Sequence, residues 1–198
     1  MELVAITSFA ERVVCLCLLI GALASNDAEG DSVINLTVNG TVSHGNDFPY
    51  HYSGDAAEVF TGSRYSKWCF LRTGNYPWVA WTFNDNRREV VNLYELTTAN
   101  DNPRRDPKHW KIYGSNDGTT WDLLDEQDDV MWSSRFESRR FAVNNTVAYH
   151  SYKFEFIERS GNDSRDRYQI AEWKILYAPD PESALTPEPW FPVYDPFI

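Results

Sequence analysis

The sequence predicts an all-β protein, an antiparallel β-sandwich of the jelly-roll kind. Apolar and polar residues alternate over several short stretches, with hardly any helical period. Aromatic residues make up 15% of the 198 residues, and large rings suit pleated, half-buried surfaces. Clusters of Asn, Asp, Gly, Ser and Pro separate the apolar stretches, as in sandwiches and barrels.

In chain order, Val33 to Ser43 reads as a hairpin turning at Asn39-Gly40. Pro77 to Phe83 places Val79, Trp81 and Phe83 on one face, and Val90 to Leu96 is a further apolar strand. Trp110 to Gly114 and Trp121 to Leu124 flank the turn Ser115-Asn116-Asp117-Gly118. Trp110 and Trp121 on these strands are expected to pack in the core or across the sheet. Tyr152, Phe154 and Phe156 alternate with Lys153 and Glu155, and Ala171, Trp173, Ile175 and Tyr177 alternate with Glu172 and Lys174.

The domain plan has four parts. Val13 to Ala24 is an apolar run of 12 residues, too short to span a bilayer, and it ends in the small-x-small pattern Ala22-Leu23-Ala24. Residues 1–24 read as a signal peptide, with an uncleaved anchor as the alternative. A polar lead-in covers 25–32 and the sandwich 33–178. Residues 179–198 hold six Pro and four acidic residues with no basic one, which predicts an extended, disordered tail. Cleavage would remove Glu2, Glu11 and Arg12, one net negative charge of the −11, and leave −10. It would also remove Cys15 and Cys17, so Cys69, inside Trp68-Cys69-Phe70-Leu71, is expected to be a buried, inert thiol.

These features predict a secreted, extracellular glycoprotein with no transmembrane span in the mature chain. Four N-x-S/T sequons at Asn35, Asn39, Asn144 and Asn162 agree with export. The acidic balance argues against nucleic acid and anionic lipid heads, which are bound through Lys and Arg.

The run Arg105-Asp106-Pro107-Lys108-His109-Trp110-Lys111-Ile112-Tyr113-Gly114-Ser115-Asn116-Asp117-Gly118, followed by Trp121 and Leu123-Leu124-Asp125, resembles the discoidin family, also called coagulation factor V/VIII type C. Phe60-Thr61-Gly62 to Lys67-Trp68, Leu96 to Asp101, and Gln169-Ile170-Ala171-Glu172-Trp173 fall in that family's order. The resemblance covers about Val33 to Tyr177 and implies a galactose-binding-like domain. In the motif itself, Asn116-Asp117-Gly118 closes a tight turn, Pro107 starts a strand, and Arg104, Arg105 and Asp106 can pair to fix a loop. The resemblance also implies a structural calcium, with Glu172 as the last-strand glutamate and Ser66 as the hydroxyl ligand. Thr61 stands where the family usually has Asp, which removes one charge. A satisfied polar loop without metal is the alternative.

The resemblance implies a ligand site in loops at one end of the sandwich. By chemistry the candidates are Tyr50, His51 and Tyr52 in one loop, Trp132 and Arg135 in a second, and Arg165 and Arg167 in a third. Rings stack on sugar C–H faces, and Arg or His donates to hydroxyls. No HExxH, G-x-S-x-G or phosphate loop occurs, so no enzyme is predicted. The expected function is a carbohydrate-binding, lectin-like module whose partner is a glycan or a cell-surface glycoprotein. An adhesion domain that recognises a protein is the first alternative, and a hydrolase with a divergent carboxylate pair the second.

Overall fold

The computed structural model describes residues 32–49 and 55–186. The signal-peptide reading of 1–24, the lead-in up to residue 31, Tyr50, His51 and Tyr52, and the tail beyond Thr186 lie outside the described residues.

Fourteen strands and two short 3₁₀ turns (Ala56–Phe60 and Pro103–Arg105) make up the described regular structure, with no α-helix. In order they are β1 (Ile34–Asn35), β2 (Gly40–Gly45), β3 (Asp47–Pro49), β4 (Trp68–Arg72), β5 (Trp78–Phe83), β6 (Glu89–Val90) and β7 (Leu93–Thr97). Then come β8 (Pro107–Ser115), β9 (Asp122–Gln127), β10 (Ser138–Ala142), β11 (Ala148–Tyr149), β12 (Ser151–Arg159), β13 (Arg167–Ile170) and β14 (Glu172–Tyr177). A five-stranded antiparallel sheet runs β2-β5-β12-β8-β9, and a four-stranded one runs β1-β14-β7-β10. Smaller sheets pair β13-β4-β3 and β11-β6. The fold is the predicted all-β sandwich.

Alternation builds the core. On β12, Tyr152, Phe154 and Phe156 are fully buried, and on β5 so are Val79 and Phe83. Rings meet between the sheets: Phe154 on β12 lies 5.9 Å from Trp173 on β14, and Trp110 on β8 lies 5.2 Å from Phe141 on β10, centroid to centroid. Trp110 Nε1 donates to Tyr94 Oη at 2.9 Å, and Tyr94 Oη donates to Asp125 Oδ2 at 2.7 Å. This relay satisfies both core polar groups and ties β7 to β8 and β9. Burial and the Asp125 carboxylate push the Tyr94 phenol well above its ordinary range. Cys69 is buried and free, and burial raises its thiol pKa.

Two expectations need correction, and a third is narrowed. The Val33–Ser43 hairpin does not form, because β1 pairs with β14 and β2 with β5, in different sheets. Buried Leu36 marks the crossing, and Asn39 takes a left-handed φ of 55° where β2 begins. Trp121 takes the second of its two expected places, across the sheet against Lys153 and not in the core. The β8–β9 register skips Leu124 between Asp125 opposite Ile112 and Leu123 opposite Tyr113. That bulge puts Leu123 on the outer face with Tyr113, and Trp121, two residues before it, follows. The tail expectation fails for residues 179–186. Arg140 on β10 donates from Nη1 to the carbonyls of Ala184 and Thr186, and Ala184 packs with Leu93, Leu176 and Ala178. This segment covers the outer face of the four-stranded sheet, which is why every residue of β7 is buried.

Trp110→Ala should cost about 3–5 kcal/mol, since it opens a cavity and leaves Tyr94 without a donor. Trp121→Ala should cost about 1 kcal/mol or less. Urea unfolding of both variants checks this; equal losses would contradict the opposite-face assignment.

Candidate functional site

The predicted ligand residues Arg135 and Arg167 serve the fold instead. The 3₁₀ turn Pro103–Arg105 delivers Asp106 to a site with no solvent exposure. There Arg135 donates through Nη1 at 3.1 Å and through Nη2, and Gln169 Nε2 donates at 3.1 Å. Arg135 also caps the carbonyls of Ala99 and Asp101. Burial pushes the Asp106 carboxyl up, and Arg135 and Gln169 pull it back.

Asp163 accepts several hydrogen bonds. They come from the Arg167 side chain (2.7 and 2.9 Å), Arg105 Nε (3.3 Å), Asn102 Nδ2 (3.2 Å) and the backbone N–H groups of Arg165 and Arg167. The Arg167 guanidinium, first among several donors, holds the Asp163 carboxyl well below the usual carboxylate range. Trp132 is half-buried: its Nε1 donates to Pro107 O at 2.6 Å and its ring stacks near Trp110, while it also lines a shallow cleft with Pro103, Arg104, Met131 and Ser160. Arg165 is exposed on the same loop as Asp163. The physical reason for these corrections is that planar, multidentate cations are the groups that satisfy a buried carboxylate.

The residues implied for calcium do come together. Thr61 Oγ1 lies 2.5 Å from Ser66 Oγ, and both hydroxyls point at Glu58 O, at 3.2 and 2.9 Å. Ser66 Oγ also reaches Ser63 O at 2.8 Å. Glu172 Oε1 accepts from Gly62 N at 2.9 Å, while buried Oε2 has no partner. Burial pushes the Glu172 carboxyl up to about 8. The loop's hydroxyl and carbonyl oxygens, joined through the Gly62 amide to a carboxylate with one unpartnered oxygen, are the kind of donors a hard divalent cation takes, so these residues fit calcium.

A second feature was not singled out in the sequence. The outer face of the five-stranded sheet bears a cleft of about 570 Å³. Trp78 at the start of β5 and Lys153 and Glu155 on β12 form its wall, and Arg72, Gly74, Asn75, Tyr76 and Asn46 close it. Local geometry fixes this shape. Gly74 has φ 79° in the turn, and Asn46, itself at φ 60°, donates from Nδ2 to Tyr76 O at 2.9 Å. The Trp78 indole lies on Gly45, where any Cβ would sit 2.8 Å from Nε1, so glycine there permits the ring position. Tyr76 is 45% exposed.

Beside the cleft, Lys153 Nζ stands 4.6 Å from the Tyr113 ring centroid and 4.5 Å from that of Trp121. Tyr113 Oη donates to Glu155 Oε2 at 3.0 Å, and burial with this carboxylate raises the Tyr113 pKa. Burial lowers the pKa of Lys153. The sequence signal was present: Lys153 and Glu155 are the outward positions of β12, and Gly74-Asn75-Tyr76-Pro77 is a turn beside a strand that starts with Trp78. Two exposed or half-exposed rings beside amides, a carboxylate and two cations make a surface suited to a polyhydroxylated ring.

All four sequon asparagines are exposed. His109, Asp128 and Glu158 cluster at the surface, where His109 Nε2 also meets Glu126 at 2.7 Å.

No family model matches the chain. Among solved structures, it resembles the Clostridium perfringens module CpGH89CBM32-5, solved with GalNAc-β-1,3-galactose. The TM-score is 0.60 at 14% identity, covering 74% of this chain and 100% of that one. The family 32 CBM of C. perfringens NanJ, solved with galactose, aligns at TM-score 0.58 and 13% identity over 74% of this chain and 100% of that one. A fucolectin from striped bass (Morone saxatilis) serum aligns at 0.58 and 13%, over 73% and 49%. The fold is thus the galactose-binding-like sandwich of carbohydrate-binding modules and F-lectins. In sequence, the chain is 33% identical over 121 residues to an Arabidopsis thaliana peptide-N(4)-(N-acetyl-beta-glucosaminyl)asparagine amidase, covering 60% of this chain and 17% of that protein.

The Asp163 network generates a pH expectation. Its folded pKa lies below the unfolded value of about 3.9, so the stabilisation is present above that pH and lost as acid titrates the carboxylate. Asp163→Asn should cost about 3 kcal/mol near neutral pH and converge with wild type in acid. Urea unfolding between about pH 2 and 7 measures this; parallel curves would sever the carboxylate from acid stability.

Proposed function

We propose that this chain is a secreted carbohydrate-binding module that holds a glycan in the cleft on the five-stranded sheet and catalyses nothing itself. The cleft carries the reading. Tyr76 and Trp78 offer ring faces, and Asn75, Arg72, Lys153 and Glu155 offer donors and an acceptor on one wall. The shared fold of modules solved with galactose and GalNAc-β-1,3-galactose supports it. The plant relative is named for a reaction at glycosylated asparagine, which favours a glycan as the ligand class. Its amidase activity belongs to a much longer protein, of which this chain spans 17%. Export rests on the apolar run ending in Ala22-Leu23-Ala24 and on the sequons. The domain recognises a glycan or cell-surface glycoprotein, and calcium bound by Glu172, Ser66, Thr61 and nearby carbonyls stiffens its far loops.

Trp78→Ala and Tyr76→Ala should each weaken glycan binding about tenfold, or about 1.4 kcal/mol. An array screen followed by titration checks this, with Tyr50→Ala and Tyr52→Ala in parallel and folding verified by near-ultraviolet circular dichroism. Folded cleft variants that bind like wild type, beside weakened Tyr50 or Tyr52 variants, would move the site to that loop.

Calcium at ten times its Kd should stabilise the domain by about 1.4 kcal/mol, and Glu172→Gln should abolish the gain. Thermal unfolding with calcium and with chelator reads it; no shift at about 10 mM, well above the millimolar affinity of weak extracellular sites, would show that Thr61 has ended metal binding.

A further inference from the structure

The chain carries a net charge of −11, yet its cleft presents two uncommitted cations. The arginines and lysines elsewhere are largely spent. Arg105 and Arg167 serve Asp163, Arg135 serves Asp106, Arg140 and Lys174 serve Glu95, and Lys67 serves Asp101. Arg72 is exposed at the end of β4, opposite Asp47, whose own carboxylate is held by His44 and Trp68. Neither Arg72 nor Lys153 donates a hydrogen bond or joins an ion pair among the described residues.

Lys153 is held in place by the sheet. It is flanked by Ala80 on β5 and Tyr113 on β8, in the middle of the ladder. Its ammonium rests between the Tyr113 and Trp121 rings, which orient the charge without neutralising it. The carboxylate on the same wall, Glu155, already accepts from Tyr113 Oη. The cleft therefore has two cations to one carboxylate in a strongly acidic chain.

We propose that the glycan bound in this cleft carries an anionic substituent, a carboxylate or a sulfate, which Arg72 and Lys153 receive while Tyr76 and Trp78 pack on the sugar ring. This rests on the reading of the cleft as the glycan site. A half-buried ammonium has lost part of its hydration, so an incoming anion recovers interaction that a neutral hydroxyl does not. Hydrogen bonds between ionised partners are roughly twice as strong as neutral ones. The acidic remainder of the surface does not prevent this, because charges beyond about 8 Å are screened at physiological salt. The lowered pKa of Lys153 fits an ammonium awaiting a counter-charge.

The test uses matched pyranosides: methyl α-D-galactopyranoside, its uronic acid and its 6-sulfate, with the gluco series beside them. Each is titrated into isotopically labelled protein and read by amide chemical shifts. At least one acidic sugar should bind about tenfold more tightly than its neutral parent, about 1.4 kcal/mol, with shifts at Asn75, Trp78 and Lys153. Arg72→Gln and Lys153→Gln should each weaken the acidic sugar more than its neutral parent and so erase most of that preference. Arg72 is exposed, so its variant stays informative if Lys153→Gln perturbs the fold. Preference for the uronic acid alone identifies the anion as a carboxylate, and preference for the 6-sulfate alone as a sulfate. Cleft shifts of equal affinity for neutral and acidic sugars would overturn the anionic assignment and leave the glycan site standing. No cleft shift with any sugar, together with a silent glycan array, would overturn both.

Discussion

Two buried aspartates organise the loops at one end of this sandwich, and much else follows from satisfying them. Asp106 is fully buried and Asp163 nearly so, and an unpaired buried carboxylate is among the most costly groups a fold can contain. The chain answers with Arg135 and Gln169 on one, and Arg105, Arg167 and Asn102 on the other. These bonds join the turn before β8, the loop before β10 and the loop between β12 and β13. Removing one partner leaves a charge stranded, whereas replacing the whole set by apolar groups need not destabilise. The network is therefore best understood as a fixture that specifies loop geometry. It also explains why Arg135 and Arg167, which look like ligand donors in the sequence, are engaged by buried acids.

The strands were legible because alternation is a local signal. Val79, Trp81 and Phe83, or Tyr152, Phe154 and Phe156, announce a buried face without knowledge of their partners. Pairing was less legible. Asn39-Gly40 looks like a hairpin turn, yet the flanking strands join different sheets, and only the position of Leu36 in the core tells the two apart. Which of its two expected places Trp121 takes depends on a bulge at Leu124 that shifts the register, and bulges leave little trace in sequence. Residues 179–186 are held by Arg140, whose role depends on Glu95 beside it in the neighbouring strand.

The candidate site was legible only in part, for a related reason. Residues proposed by chemical type alone, such as Arg135 and Arg167, are drawn from the same pool that neutralises buried acids. The cleft residues are ordinary outward positions: Lys153 and Glu155 on β12, Trp78 at a strand start, Arg72 at a strand end. What makes them a group is the adjacency of β5 and β12 and the turn carrying Gly74, which no linear pattern states.

Buried charge also sets Glu172 apart from the rest of the molecule. Of the buried acids among the described residues, Glu95 is paired with Arg140 and Lys174, Asp106 with Arg135, and Asp163 with Arg105 and Arg167. Glu172 has only the Gly62 amide, and its second oxygen has nothing. A fold that gives Glu95, Asp106 and Asp163 cationic partners, and leaves Glu172 a single backbone amide, treats that acid differently. Two states relieve the cost: a proton on Glu172, towards which burial drives it, or a cation among the oxygens of Glu58, Thr61, Ser63 and Ser66. The first needs no partner and the second needs a metal, so the loop can hold its shape either way, and metal would tighten it. Thr61 in place of a carboxylate shifts the balance towards the proton, because a divalent ion would meet a single negative charge there.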